Sequence, residues 1–221
     1  MSLLAAAAAG LAAGLVHVLT GPDHLTAVAP LTAARAAPGW RVGAAWGVGH
    51  SFGVAALTAL AIAARGWLRP EWVSAASERL VGAVLVGLGC WGICRVVARR
   101  TATREHRHGE TSHAHAHWRV ERREAPPGGV RHSHAPLWIG ALHGLAGGTH
   151  LLGALAALAL PAVPALAFLG GFAAGTVGGM TAFTATLGRL ALMLPGRFAG
   201  QALLGGVSAA SVAVGAVWLL A

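Results

Sequence analysis

Charge is scarce in this chain: only 10% of its 221 residues are charged, and all 16 basic residues are arginine because lysine is absent. A soluble domain of this size carries about 25% charged residues, so the composition excludes an ordinary soluble protein. Hydrophobic residues make up 56% of the chain, and the mean hydropathy is +0.65. Apolar runs recur at about 20 residues, enough to cross a bilayer core. We expect a polytopic membrane protein with the lipid bilayer as its surroundings.

Several sequence signals are missing. No basic residue precedes the first apolar run, so 1–13 does not fit a secretory signal and is expected to stay as a first helix. No nucleotide-binding motif is present, so the chain is not expected to use ATP itself. There is no His-Glu-x-x-His motif, which disfavours a zinc hydrolase, and we expect no enzymatic activity. The two cysteines, Cys90 and Cys94, lie one turn apart in an apolar run and are expected to be small buried residues.

The apolar runs predict an all-α membrane protein with six transmembrane helices, because unpaired backbone groups are too costly in lipid. The predicted spans cover approximately 3–20, 42–64, 79–98, 137–160, 164–192 and 200–220. The first span could continue as a second helical segment, after a break, to residue 34.

The arginines are distributed unevenly between the connecting loops. Nine of them lie between Arg95 and Arg131, and thirteen of the 16 fall on the side of the 1–2, 3–4 and 5–6 loops. Lys and Arg favour the cytoplasmic side, so both termini are predicted to lie outside. The net charge of +9 is therefore explained without a nucleic-acid partner.

Glycines recur at four-residue spacing within the spans. Small residues at this spacing let helix backbones approach closely, so we expect tight packing seams at Gly10/Gly14, Gly43/Gly47, Gly49/Gly53, Gly171/Gly175 and Gly175/Gly179.

The two halves of the chain resemble each other. The pair His17/His24 matches His143/His150 at an offset of 126, and three further matches in spans 2 and 5 share that offset. Three spans per half require opposite orientations, as in the inverted repeats of secondary transporters. We therefore divide the chain into a first three-helix repeat (1–99), a cytoplasmic His- and Arg-rich loop (100–135) and a second three-helix repeat (136–221).

Six ionisable residues are predicted to lie within the spans, where such residues usually face the interior and serve a function. Imidazole nitrogens suit late first-row metals better than Mg²⁺ or Ca²⁺, so the set predicts a divalent transition-metal site. The candidate ligands are His17, Asp23, His24, His50, His143 and His150.

Spacing limits how one ion could be bound. In a straight helix, His17 and His24 would be separated by about 10.5 Å, whereas metal–ligand bonds are about 2 Å. Either the helix unwinds between them, or they serve successive positions on a path. Thr20-Gly21-Pro22 supplies the predicted break, because proline removes a backbone donor and glycine permits unusual dihedrals.

Two of these candidates also have ordinary structural explanations. Asp23 could offset the charge of a cation or take up a proton, or it could cap the second half-helix. His50 could be a ligand or a hydrogen-bonded packing residue.

The loop histidines have the composition of a metal-binding tract and are interpreted as a low-specificity metal buffer on a flexible segment: His106, His108, His113, His115, His117, His132 and His134.

Several motifs together resemble the nickel/cobalt transporter (NiCoT/NicO) superfamily, in its UreH-like branch of urease accessory membrane proteins. They are His-Val-Leu-Thr-Gly-Pro-Asp-His, Trp-Gly-Val-Gly-His-Ser-Phe-Gly, Ser77-Glu78-Arg79-Leu-Val-Gly and Leu-His143-Gly-Leu-Ala-Gly-Gly-Thr-His150. The resemblance implies a bacterial inner-membrane permease for Ni²⁺ or Co²⁺, with no organic cofactor and with urease or metallochaperone machinery as possible partners. The first-helix motif of the family commonly has four residues between its first histidine and the Asp-His pair. This chain has five residues between His17 and Asp23.

The residues leave alternatives open. The transported ion could be Zn²⁺ or Mn²⁺, and the direction could be uptake or export. The histidine pairs could instead hold a haem in a membrane redox protein. The oligomeric state is not specified by the sequence.

Overall fold

In the computed structural model, the described residues are 2–34, 38–63, 70–100, 103–108, 111–116, 134–145 and 159–220. Within these ranges the chain forms seven α-helices and one pair of short strands. The helices are α1 (Leu3–Thr20), α2 (Pro22–Ala33), α3 (Gly39–Ala63), α4 (Pro70–Arg100), α5 (Ala135–Leu145), α6 (Ala162–Met193) and α7 (Gly196–Leu220).

The first helix is broken where the sequence predicts it. α1 ends at Thr20 and α2 begins at Pro22, with Gly21 in an extended conformation between them. Proline disfavours a helical conformation in the residue before it and is well suited to the first turn of a new helix. The Gly21 N–H still donates to the His17 carbonyl, and the Gly21 carbonyl accepts from the His24 N–H, each at 3.2 Å. The break is therefore compact.

Glycines mediate close helix contacts, which confirms the predicted packing seams. Side chains at Gly10 and Gly14 of α1 would collide with the backbone of α6, so the two helices can touch directly there. α3 approaches α6 at Gly43 and Gly47, and it approaches α5 at Gly49 and Gly53. α4 packs mainly along α7. The central helix α3 is thus fixed against two neighbours at once.

A buried cluster at the centre of the bundle joins α1, α2, α3, α4 and α6. Trp46 of α3 is its largest member and is completely buried. The other members are Val18, Ala27, Val28, Val42, Val81, Leu85 and Met180. Trp46 connects this apolar cluster to the N-terminus of α2, where its ring contacts that of His24.

Four helical segments in the described part of the chain are long and apolar enough to cross a membrane: Leu3–Thr20, Glu78–Ala98, Ala162–Met193 and Phe198–Leu220. The chain therefore has transmembrane character. The predicted spans 42–64 and 137–160 are not among the four. α3 covers most of the first of these. Residues 146–158 of the second lie outside the described residues.

The bundle is all-helical, as predicted. The connecting segment between α4 and α5 contains an antiparallel pair of short strands that was not expected, β1 (Thr103–His108) and β2 (Thr111–Ala116). The expectation for the two cysteines was wrong. Cys90 and Cys94 are exposed rather than buried, because they lie on the face of α4 that turns away from its neighbours.

Gly175 and Gly178 of α6 provide a matched test of the packing seam. A side chain at Gly175 would meet the backbone of Leu11, whereas one at Gly178 would meet nothing within 4 Å. We expect Gly175→Ala to destabilise the protein by about 1–3 kcal/mol through overpacking. Gly178→Ala should be neutral or stabilising by up to about 1 kcal/mol, because alanine favours the helix. Unfolding in detergent micelles measures both, and equal effects would contradict the seam.

Candidate metal centre

Five of the six predicted ligands come together inside the bundle. His17 lies near the end of α1, Asp23 and His24 begin α2, His50 lies in α3 and His143 lies in α5. Asp23, His24, His50 and His143 are at most 6% exposed, and His17 is half-buried. The sixth candidate, His150, lies outside the described residues.

The break in the first helix brings two of these imidazoles into contact. The Nε2 atoms of His17 and His24 are 3.0 Å apart, far closer than the roughly 10.5 Å rise of a straight helix between them. A β-carbon added at Gly21 would lie 2.5 Å from His24 Nδ1 and 2.9 Å from Asp23 Oδ1. Glycine is therefore required here for space, since its φ of −83° is open to any residue.

Asp23 connects two helices through hydrogen bonds from imidazoles. Its Oδ1 accepts from His24 Nδ1 at 2.9 Å, and its Oδ2 accepts from His143 Nε2 at 3.0 Å. An ionised carboxylate can only accept, so these contacts assign the protons to the two ring nitrogens. Carboxylates that hold imidazoles in this way fix the ring orientation and tautomer of metal-binding histidines. Asp23 therefore orders the centre even before any ion arrives.

Trp46 forms one wall of the centre and was not among the predicted site residues. Its ring stacks on His50 with centroids 4.9 Å apart and an interplanar angle of 6°. It also contacts His24 and His143, at 5.6 Å and 5.3 Å between centroids. The four-residue spacing from Trp46 to His50 places them on one helix face, and this spacing could have identified it.

Phe172 of α6 also lies beside the centre, with its ring 5.4 Å from that of His17. Thr184 of the same helix donates to the Met180 carbonyl at 2.8 Å. Thr20, at the helix break, similarly donates to the Val16 carbonyl at 2.7 Å. Neither hydroxyl is directed at the histidine cluster.

The side chains form two groups capable of holding a metal ion. One comprises His17, His24 and His50, and the other comprises Asp23, His24 and His143; within each, the potential ligand atoms lie within 4.8 Å of one another. Two ligands bonded to one ion at about 2 Å and at roughly right angles lie about 3 Å apart. Three contacts in the cluster, at 2.9 to 3.0 Å, have this spacing. These pairs are therefore close enough for both members to bind one ion.

The loop histidines occupy other parts of the chain. His134 is exposed immediately before α5. His106, His108, His113 and His115 lie on β1 and β2, where His106 and His113 are opposite each other in the backbone register. His117 and His132 lie outside the described residues. The metal-buffering role of this segment stays a prediction.

Compared with protein-family models, curated proteins and solved structures, the chain matches none of them.

The space at Gly21 can be tested directly. Gly21→Ala should weaken Co²⁺ binding by at least about tenfold, because the new methyl group would displace His24 and Asp23, and disturbing such supporting contacts typically costs 10–100-fold. The control is Gly178→Ala, which has open space around it. Titration of the purified protein with Co²⁺ measures both affinities. Unchanged affinity in Gly21→Ala would contradict the placement of the centre beside the helix break.

Proposed function

We propose that this protein is a secondary transporter of a divalent transition-metal ion, with Ni²⁺ or Co²⁺ as its substrate. The observation that carries the proposal is the convergence of His17, Asp23, His24, His50 and His143 from four helices into a buried cluster. Burying ionisable groups is costly unless they are paired or bind an ion. A bundle with transmembrane helices has little structural reason to assemble five of them.

The ligand chemistry supports a late first-row metal. Four imidazoles and one carboxylate suit Ni²⁺, Co²⁺, Cu²⁺ or Zn²⁺, whereas Mg²⁺ and Ca²⁺ prefer oxygen ligands. The choice of Ni²⁺ or Co²⁺ rests on the motif resemblance described above. Zn²⁺ and Mn²⁺ are the alternative substrates.

The position of the centre supports transport. Asp23 and His24 lie in the first turn of α2, immediately after a helix break. Discontinuous helices form the ion sites of many secondary transporters because the interrupted backbone opens a polar position within the bundle. A structural metal would not require such an interruption.

We also propose that the two halves form inverted repeats. The supporting observation is a set of contacts that recur when 126 is added to or subtracted from the residue numbers. Gly14 packs on Phe172 as Gly140 packs on Trp46, and Gly175 packs on Leu11 as Gly49 packs on Leu137. The ring contact of His17 with Phe172, at 5.4 Å, has its counterpart in that of His143 with Trp46, at 5.3 Å. A chance sequence match would not reproduce these partners.

The motif resemblance implies placement in a bacterial inner membrane. The arginine distribution supports the orientation with both termini outside, because thirteen of 16 arginines fall on one side. Without a nucleotide-binding motif, the proton gradient or the membrane potential is the energy source we propose. Urease or metallochaperone machinery is the proposed recipient of the ion.

The spacing of His17 and His24 argues against a haem held between these two residues. A haem iron held by two histidines needs a ligand nitrogen about 2 Å away on each side of the macrocycle. His17 and His24 Nε2 are only 3.0 Å apart, which leaves no space for the macrocycle between them. Purified protein should accordingly show no Soret absorption.

Transport in proteoliposomes tests the proposal. Ni²⁺, Co²⁺, Zn²⁺ and Mn²⁺ are compared under a proton gradient, and we expect Ni²⁺ and Co²⁺ to move fastest. Asp23→Ala and His24→Ala should each reduce the transport rate at least about 100-fold, since each removes a proposed ligand of the ion.

Thr186→Ala is the control for this experiment, because its exposed hydroxyl donates only to the Ala182 carbonyl of its own helix. Its rate should equal that of the unmodified protein. Metal transport that persists in both Asp23→Ala and His24→Ala would overturn the proposed function.

A further inference from the structure

The two possible ion positions share one residue, and they use different edges of its ring. His24 directs Nε2 toward His17, at 3.0 Å, and Nδ1 toward Asp23, at 2.9 Å. His50 completes the first group, and His143 completes the second. We call these the His17 position (His17, His24, His50) and the Asp23 position (Asp23, His24, His143).

One ion cannot use both edges of the ring. A metal ion lies in the plane of an imidazole along the lone pair of the bonded nitrogen, and the two lone pairs of the ring point in divergent directions. With bonds of about 2 Å, ions on the two nitrogens would be roughly 6 Å apart. The five side chains therefore describe two separate positions rather than one large coordination shell.

The two positions cannot both be occupied while His24 is neutral. A neutral imidazole has one N–H and one lone pair. An ion on Nε2 leaves the proton on Nδ1, where it is donated to Asp23. An ion on Nδ1 requires the proton to be on Nε2 instead. His24 can thus serve either position, but only one at a time.

Burial and charge give the two positions different characters. His17 is half-buried, whereas all three members of the Asp23 position are buried. The His17 position offers three neutral imidazoles, and the Asp23 position adds the negative charge of a carboxylate. A dication is therefore drawn from the more accessible position toward the deeper one, because attraction between opposite charges is stronger away from water.

We propose that His24 is a shared ligand of two mutually exclusive ion positions, and that the ion passes from one to the other by exchanging the ring nitrogen that binds it. This inference rests on the proposed function, because it describes how the transported ion moves through the same centre. The proton of His24 exchanges between Nδ1 and Nε2. The proton that His143 donates from Nε2 to Asp23 moves likewise to Nδ1 of that ring when the ion arrives. The step therefore needs no net uptake or release of protons.

Equilibrium binding of Co²⁺ to the purified full-length protein tests the inference. The His24→Ala variant removes both positions, so the Co²⁺ that it still binds gives the background from the rest of the chain. Above this background the unmodified protein should bind one Co²⁺. His17→Ala and His143→Ala should each still bind one, because each leaves the other position intact.

The affinities distinguish two positions from one. If the two positions are alternatives, the association constant of the unmodified protein for Co²⁺ is the sum of the constants of the two positions. Each of the variants His17→Ala and His143→Ala keeps one of these constants. At least one variant must therefore retain half or more of the constant of the unmodified protein. His17→Ala, His50→Ala and their double variant should share one affinity and one Co²⁺ spectrum, since all three leave only the Asp23 position. The His17→Ala/His143→Ala double variant should fall to the background.

Transport gives the complementary measurement. His17→Ala and His143→Ala should each lose at least about tenfold in transport rate while still binding Co²⁺, because the ion needs both positions to pass. Retained Co²⁺ binding also shows that the variants are folded. If an alanine variant does not fold, the same histidine is replaced by glutamine instead.

Two Co²⁺ ions above background, or losses of more than twofold in both single variants, would overturn the shared-ligand inference while leaving the proposed function intact. If the unmodified protein binds no Co²⁺ above the His24→Ala background and transports no metal, the proposed function itself fails.

Discussion

The centre of this molecule depends on the interruption of its first helix between Thr20 and Pro22. A continuous helix would place His17 and His24 on one face but about 10.5 Å apart along the axis. The interruption turns α2 so that the two Nε2 atoms lie 3.0 Å apart. It also places Asp23 in the first turn of α2, where it accepts from His143 of α5. One local change in the backbone thus joins groups from separate helices.

The glycine contacts complement this break. α3 carries His50 and Trp46, and it is held against α5 and α6 by glycines that allow backbones to touch. Because these contacts involve backbone rather than flexible side chains, they fix the position of α3 closely. The stacked pair of Trp46 and His50 then lies beside His24 and His143 with little freedom. Close packing and the buried hydrogen bonds of Asp23 therefore stabilise the same arrangement.

Much of this could be predicted from the sequence, because strong local signals determine it. Proline after glycine marked the break, four-residue glycine spacing marked the seams, and five of six ionisable residues within apolar runs met in one cluster. Trp46 was missed although its four-residue spacing from His50 places both residues on one helix face, because the sequence does not show which residues of other helices that face contacts. The strands β1 and β2 were missed because the surrounding charge pattern suggested an irregular loop.

Other features depend on tertiary contacts that no local pattern encodes. The sequence placed His17 and His24 near each other only on the condition that the helix breaks. It could not show that His24 would direct one nitrogen to His17 and the other to Asp23, because that depends on the angle between α1 and α2. The exposure of Cys90 and Cys94 likewise depends on which face of α4 packs on α7.

The central claim is that the ion in transit is held by the cluster around His24. Anomalous diffraction from crystals of the Ni²⁺-loaded protein, measured at the nickel absorption edge, tests this most directly. We expect an anomalous peak within bonding distance of His24, together with either His17 and His50 or Asp23 and His143. A peak only among the histidines of the loop, with none at His24, would contradict it.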